Sequence, residues 1–283
     1  SQLQGSISAS QSENLRSFAD SIGLSQSVNT YRRLAADANY WLNSDWAVGV
    51  GAIKAASRYS DSASDDAEYD EDGFEAKVTY RTITGNQLSL VGAETHGSYP
   101  NQRVDAIDGD YRQRDIQLRG DWRLSGVSRI YGYVGVADRE YEDLPARDFS
   151  GSVGKLEYDW QLTPKIDINF LVRREIGAEA DLVDNFVVTK AASIKPTWSV
   201  TSRFSLSAEM EWLQRNYGGD PGLGVVSSIA KDDVTTIGTL AAGYVPFDNL
   251  QLSASWQTES RDSDAPSREY DDDIVMLSVR FTW

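Results

Sequence analysis

The chain contains no cysteine, which removes disulfides, thiolate metal sites and cysteine nucleophiles together. It contains one histidine, His96. No run of apolar residues approaches the ~20 that a membrane-spanning helix needs, so a helical membrane protein is excluded. Bases are scarce beside acids, 27 against 43, and the resulting formal charge of -16 repels phosphate backbones and excludes a nucleic-acid partner. The opening SQLQGSISAS lacks the basic and apolar segments of a signal peptide, so the chain is either non-secreted or already processed. Its strand pattern favours the processed reading.

What is present is alternation. At 283 residues the chain has room for one large β domain or two small ones. Along it, pairs of roughly ten-residue alternating segments are joined by tight polar turns and separated by longer acidic or Gly/Asn-rich loops. In FEAKVTYRTITGNQLSLVGAE, Phe74, Ala76, Val78 and Tyr80 share one face, Glu75, Lys77, Thr79 and Arg81 the other, and the turn falls at Gly85-Asn86. IQLRGDWRLSGVSRIYGYVGVADREY turns near Ser125-Gly126, and GKLEYDWQLTPKIDINFLVRRE at Thr163-Pro164. SIKPTWSVTSRFSLSAEMEW turns at Thr201-Ser202, and LAAGYVPFDNLQLSASWQ at Phe247-Asp248-Asn249. With ADANYWLNSDWAVGVGAI, the opening LQGSISAS and the closing IVMLSVRFTW, the pattern predicts about fourteen strands, twelve or sixteen being the alternatives. Every short turn then falls on one side. The long loops, Asp61 to Asp72, His96 to Gly109, Asp143 to Phe149, Tyr217 to Asp233 and Arg261 to Asp273, fall on the other.

A soluble β-sandwich also alternates, but its inner faces favour aliphatic residues. Here Trp or Tyr recurs beside the tight turns, at Tyr40, Trp46, Tyr80, Trp122, Trp160 and Trp198, with Phe281 and Trp283 closing the last strand. Aromatic side chains with one polar edge collect at a lipid headgroup boundary. The polar faces mix both charges with Ser, Gln and Gly, as a barrel lumen does. The expected fold is therefore all-β: one closed antiparallel transmembrane barrel over residues 1–283, with short periplasmic turns and long extracellular loops, in the outer membrane of a Gram-negative bacterium. Backbone groups in lipid must be paired, so the last strand should close the ring against LQGSISAS. The expected pore-lining residues are Arg33, Asp37, Glu75, Lys77, Arg119, Asp121, Arg123, Tyr131, Tyr133, Glu157, Asp159, Glu209, Glu211 and Arg280. Most of these charges solvate the lumen or bridge neighbouring strands. Tyr131, Tyr133 and Trp41 point inward and offer ring faces to sugars.

Bond-making chemistry finds little support. His96, in Glu94-Thr95-His96-Gly97, has no companion placed by a motif and reads as an exposed rim histidine. The acidic stretches Asp61 to Asp72 and Asp271-Asp272-Asp273 lack the glycine and glutamate positions of a helical calcium loop and read as a solvated outer face. No metal or cofactor is expected. Leu15 to Ile22 makes a helical turn or two at most, and Gly218-Gly219-Asp220-Pro221-Gly222 is turn chemistry.

The wording of several strands carries more. Arg147-Asp148-Phe149-Ser150-Gly151, Tyr158-Asp159-Trp160, Pro196-Thr197-Trp198, Tyr217-Gly218-Gly219-Asp220-Pro221 and the final LSVRFTW resemble the exosortase-B-associated exopolysaccharide barrels, the EpsL-like family, over Tyr31 to Trp283. The resemblance implies an outer-membrane barrel working in polysaccharide export, as pore or accessory, with periplasmic export components as partners besides the lipid bilayer and lipopolysaccharide. It implies no catalytic residues. A diffusion porin, general or oligosaccharide-selective, and a non-conducting interaction barrel are the rival readings. The bare aromatic end resembles the strand by which outer-membrane barrels are recognised for insertion.

Overall fold

The computed structural model describes residues 2–15, 27–62, 68–101, 110–142, 145, 148–178, 186–218, 232–264 and 268–282. They form fourteen strands: β1 (Leu3–Leu15), β2 (Val28–Trp41), β3 (Trp46–Tyr59), β4 (Tyr69–Arg81), β5 (Gln87–Ser98), β6 (Tyr111–Ser125), β7 (Ser128–Tyr141), β8 (Phe149–Thr163), β9 (Ile166–Ala178), β10 (Phe186–Ser199), β11 (Phe204–Gly218), β12 (Asp232–Phe247), β13 (Leu250–Ser263) and β14 (Tyr270–Phe281). Each pairs antiparallel with the next, giving one sheet in the order β1 to β14. The short connections all lie at one end. At the turn between β4 and β5, Gly85 takes a φ of 86°, which only glycine adopts without strain, and its N–H donates to the Thr82 carbonyl at 2.9 Å.

Exposure along single strands shows how the sheet bends. On β5, Val91 is 1% exposed beside Leu90 at 57%; on β7, Ala137 is 1% exposed beside Val136 at 56%. In a flat sheet the two faces would be equally accessible. Here the polar face is concave and shelters even small residues, while the apolar face is convex and carries the large exposed hydrophobics. Close approach is needed at Gly132 on β7, where a Cβ would stand 1.9 Å from the Lys155 carbonyl oxygen of β8.

On nine of the fourteen strands a charged or ionisable side chain stands eight positions from a convex residue near the short-turn end: Tyr40 to Arg32, Trp46 to Lys54, Tyr80 to Asp72, Leu88 to His96, Trp122 to Arg114, Ile130 to Asp138, Ile166 to Arg174, Trp198 to Lys190 and Phe281 to Asp273. At ~3.4 Å per residue and a tilt of about 40°, eight residues climb roughly 21 Å, close to the ~25 Å apolar band of a membrane barrel. The aromatics expected at the interface, Tyr40, Trp46, Tyr80, Trp122, Trp160, Trp198 and Phe281, lie on the convex face at the short-turn end. Trp283 and residues 16–22, expected to hold a helical turn, lie outside the described residues.

One expectation is corrected. The strands run further than hydropathy suggests: Asp70, Glu71 and Asp72 belong to β4, His96 to β5, Arg261 to β13 and Asp271, Asp272 and Asp273 to β14. Backbone pairing continues above the apolar band, where the convex face meets water and alternation of hydropathy has no cause. Among the described residues the sheet ends at β1 and β14, with no ladder between them. Ile7 at 82% and Leu277 at 78% are more exposed than interior-strand counterparts because each has a neighbour on one side only. Closure requires all inter-strand rotations to sum to a full turn, whereas alternation is satisfied strand by strand, so periodicity detects the second and not the first.

Leu118 lies midway between Trp122 and Arg114 on the convex face. Leu118→Arg is expected to lower unfolding stability in lipid vesicles by about 2–4 kcal/mol, whereas Ser255→Arg on the concave face of β13 changes it by less than about 1 kcal/mol. Urea unfolding followed by tryptophan fluorescence measures both. Brominated lipid should quench a protein retaining only Trp198 and leave one retaining only Trp41 bright; equal quenching would contradict the assignment of faces.

Candidate functional site on the concave face

The register places all fourteen residues expected to line a pore on the concave face. Arg33 and Asp37 of β2, Glu75 and Lys77 of β4 and Arg119 of β6 border one cavity of about 320 Å³, room for roughly ten waters. Three of these charges are paired with one another, and Asp37 accepts from the Ser6 hydroxyl and the Asn39 amide. Glu75 receives Arg119 at 2.9 Å and Lys77 at 3.6 Å. Asp121 accepts from Arg129 Nε at 2.7 Å. Glu157 is held by Lys155 at 2.8 Å and by the Tyr131 hydroxyl at 2.5 Å, and Asn169 donates to Asp159 at 2.7 Å. The Tyr133 hydroxyl donates to Glu175 at 2.8 Å, Arg173 joins Glu175 at 3.2 Å and Glu211 at 3.7 Å, and Lys195 meets Glu209 at 2.8 Å.

Several of these bonds skip a strand: Arg119 on β6 reaches Glu75 on β4, Tyr133 on β7 reaches Glu175 on β9, and Arg173 on β9 reaches Glu211 on β11. Strands lie ~4.8 Å apart, so these contacts span roughly 10 Å between backbones and need long side chains, which a concave surface turns toward one another. Most pairs are partly exposed and worth at most about 1 kcal/mol each. Their collective effect is electrical. From β4 to β11 the concave wall carries acids and bases in alternation, and its field largely cancels.

The concave positions of β12, β13 and β1 are different, being dominated by hydroxyls and amides such as Thr239, Ser253, Ser255, Gln257, Ser8 and Ser10. Trp41, Tyr131 and Tyr133 point inward, but the ring faces are not all open. The Arg81 guanidinium lies 3.8 Å over Trp41 and Arg129 lies 4.8 Å over Tyr131.

Toward the long-loop end, two clusters escaped the sequence reading. Tyr69, Tyr99, Tyr111 and Tyr141 stack in succession at centroid spacings of 6.1, 6.4 and 5.8 Å. Arg139 lies 4.0 Å over Tyr111, whose hydroxyl donates to Glu71. Burial pushes the Tyr99 phenol, just beyond β5, well above its usual range. On β11 to β13, Asp233 is fully buried, bound by Arg261 and Ser263, with Tyr217 at 2.9 Å and Arg268 at 3.3 Å. These residues continue the inward parity of their strands, a signal lost once the segments above the apolar band are read as loops.

His96 lies on the convex face, where its Nε2 accepts from Arg112 at 3.1 Å and stands 3.6 Å from Glu94. No serine or aspartate is among its described partners, and among the described residues no group of three acids or histidines is placed to hold a metal. Removing one partner of the buried pair is the informative stability test. Arg261→Met should cost about 1–3 kcal/mol, because Ser263, Tyr217 and Arg268 still hold Asp233. Lys195→Met, at an exposed pair, should cost less than about 1 kcal/mol, both read by urea unfolding in vesicles.

Solved structures share this fold. The alcaligin outer-membrane receptor FauA of Bordetella pertussis aligns with 98% of the chain and 54% of its own, at TM-score 0.53 and 10% identity. The ferric-catecholate import receptor Fiu of E. coli K12 aligns with 85% of the chain and 48% of its own, at TM-score 0.51 and 7% identity. The chain thus spans about half the length of these receptors. Among curated proteins none matches the sequence. Residues 129–283, from β7 to the end, match the family described as "Putative beta-barrel porin 2". The convex apolar band, the concave polar face and this match over more than half of the chain make it a member of that outer-membrane β-barrel porin family of Gram-negative bacteria.

Proposed function

We propose that this barrel serves the export or assembly of an extracellular polysaccharide, as the pore itself or as an accessory beside it. The observation that carries the reading is the pairing of concave charges in place. A lumen without a strong net field does not select ions, while the hydroxyl and amide sector of β12, β13 and β1 offers donors and acceptors to a neutral, hydroxyl-rich chain. The strand wording shared with exopolysaccharide barrels supports the same direction. In this reading the partners are the polysaccharide, periplasmic export components and the bilayer with its lipopolysaccharide, and in the bilayer β14 meets β1 to close the ring.

Deleting the gene in the producing bacterium should reduce secreted polysaccharide or alter its chain length; normal secretion of normal polymer removes the export role. A porin family makes a diffusion pore the second reading, and a constantly open channel in planar bilayers favours it. In about 1 M salt, where exposed rim charges are screened beyond ~3 Å, the reversal potential under a KCl gradient should lie near zero. A strongly cation-selective potential would contradict the paired lumen.

Ring closure has its own measurement. Because the chain has no cysteine, Ser6→Cys combined with Ser278→Cys, on the concave faces of β1 and β14, gives a background-free cross-link. Oxidation in membranes should produce an intramolecular disulfide in this pair or in one shifted by two residues along β14. If none of these registers cross-links, the β14–β1 closure is wrong.

A further inference from the structure

On the convex face, where charge returns above the apolar band, bases are matched by acids on most strands. Lys54 stands opposite Asp72, Arg58 pairs with Asp70 at 2.6 Å, and Arg114 meets Glu94 at 3.2 Å and Glu140 at 3.7 Å. Arg32 of β2 donates to the Gln11 amide and not to an acid, and at one place two bases face each other directly. Arg174 of β9 and Lys190 of β10 are direct cross-strand partners. The convex positions around them are Ser152 and Gly154 on β8, Val172 and Ile176 on β9, Val188 and Ala192 on β10, and Trp212 and Gln214 on β11. None is an acid.

Like charges directly opposite one another destabilise a sheet, and apolar neighbours above and below strengthen the repulsion. Arg174 donates to the Ser152 carbonyl and lies 6.0 Å from the Phe149 ring, contacts that leave its charge unneutralised. Lys190 has no hydrogen bond or ion pair with another residue among those described. That two bases share such a spot in a chain with 43 acids to 27 bases calls for an anion between them.

We propose that Arg174 and Lys190 form a binding site for a phosphate of an outer-leaflet glycolipid. The height fits. Both residues lie eight positions above the short-turn end of their strands, at the upper boundary of the ~25 Å apolar band, on the long-loop side that faces outward in such barrels. Nearer the short-turn end, Val172, two residues along β9, and Ile194, four residues along β10, are exposed for acyl chains. The guanidinium fork and the ammonium carry donors and no acceptors, which suits phosphate oxygens, and the neighbouring Ser152 hydroxyl and Gln214 amide can add donors. This site is independent of what the lumen carries.

The test is native mass spectrometry of delipidated barrel titrated with bisphosphorylated lipid A, with its dephosphorylated form and with inorganic phosphate as competitor. The native protein should bind the bisphosphorylated lipid about tenfold more tightly than the dephosphorylated one, and Arg174→Gln and Lys190→Glu should each erase most of that difference. Lys190→Glu supplies Arg174 with an internal partner, so it should fold at least as well as the native chain, separating lost binding from lost structure. Lys54→Gln, beside Asp72, should leave binding unchanged. Undiminished binding in Lys190→Glu, equal binding of the dephosphorylated lipid, or displacement by millimolar inorganic phosphate would each overturn the proposal.

Discussion

Every peptide group in a hydrocarbon layer must find its hydrogen bond within the protein, and this constraint underlies each other feature of the chain. It forces long strands, and long strands alternate, so each strand sorts its side chains into a lipid face and an inner face without reference to its neighbours. Thirteen ladders then join the fourteen strands in simple succession. The recurrence, on nine strands, of a charged side chain eight residues from a convex residue near the short-turn end is the same constraint written as a length, since apolar cover is needed only as far as lipid extends.

Curvature turns that sorting into a site. Bending the polar face inward brings next-but-one strands close enough for Arg119 to hold Glu75, Tyr133 to hold Glu175 and Arg173 to hold Glu211. The inner wall of an acidic protein thereby becomes nearly neutral. Much of the excess of acids lies in the long loops and on the segments above the lipid band, such as Asp271, Asp272 and Asp273. On the convex face most bases above the lipid band meet internal acids, as Arg58 meets Asp70 and Arg114 meets Glu94, and the proposed lipid phosphate is a second demand on bases that lack one. Arg174 and Lys190 are such bases.

Much of the architecture was legible in the order of residues. Period-two hydropathy located the strands, Gly85, Ser125-Gly126 and Thr163-Pro164 located the turns, and the parity of Glu75, Arg119, Glu157 and Arg280 assigned them to one face. The resemblance to exopolysaccharide barrels pointed to the right kind of membrane protein, and family membership supports that coarser level. Legibility failed where its physical cause ended. Above the apolar band Asp72, His96, Asp233 and Arg261 continue the strands in water, where nothing requires one face to be apolar, so they looked like loop.

The sequence alone pointed to about fourteen strands and sorted their two faces, because both are set by local chemistry repeated along one strand. Only the tertiary structure decided which charges meet, since pairing between β4 and β6 or β9 and β11 depends on register and curvature summed over several strands. The open seam between β1 and β14 belongs to the same class. It depends on the accumulated rotation of the whole sheet, a quantity to which every strand contributes and which no single strand specifies.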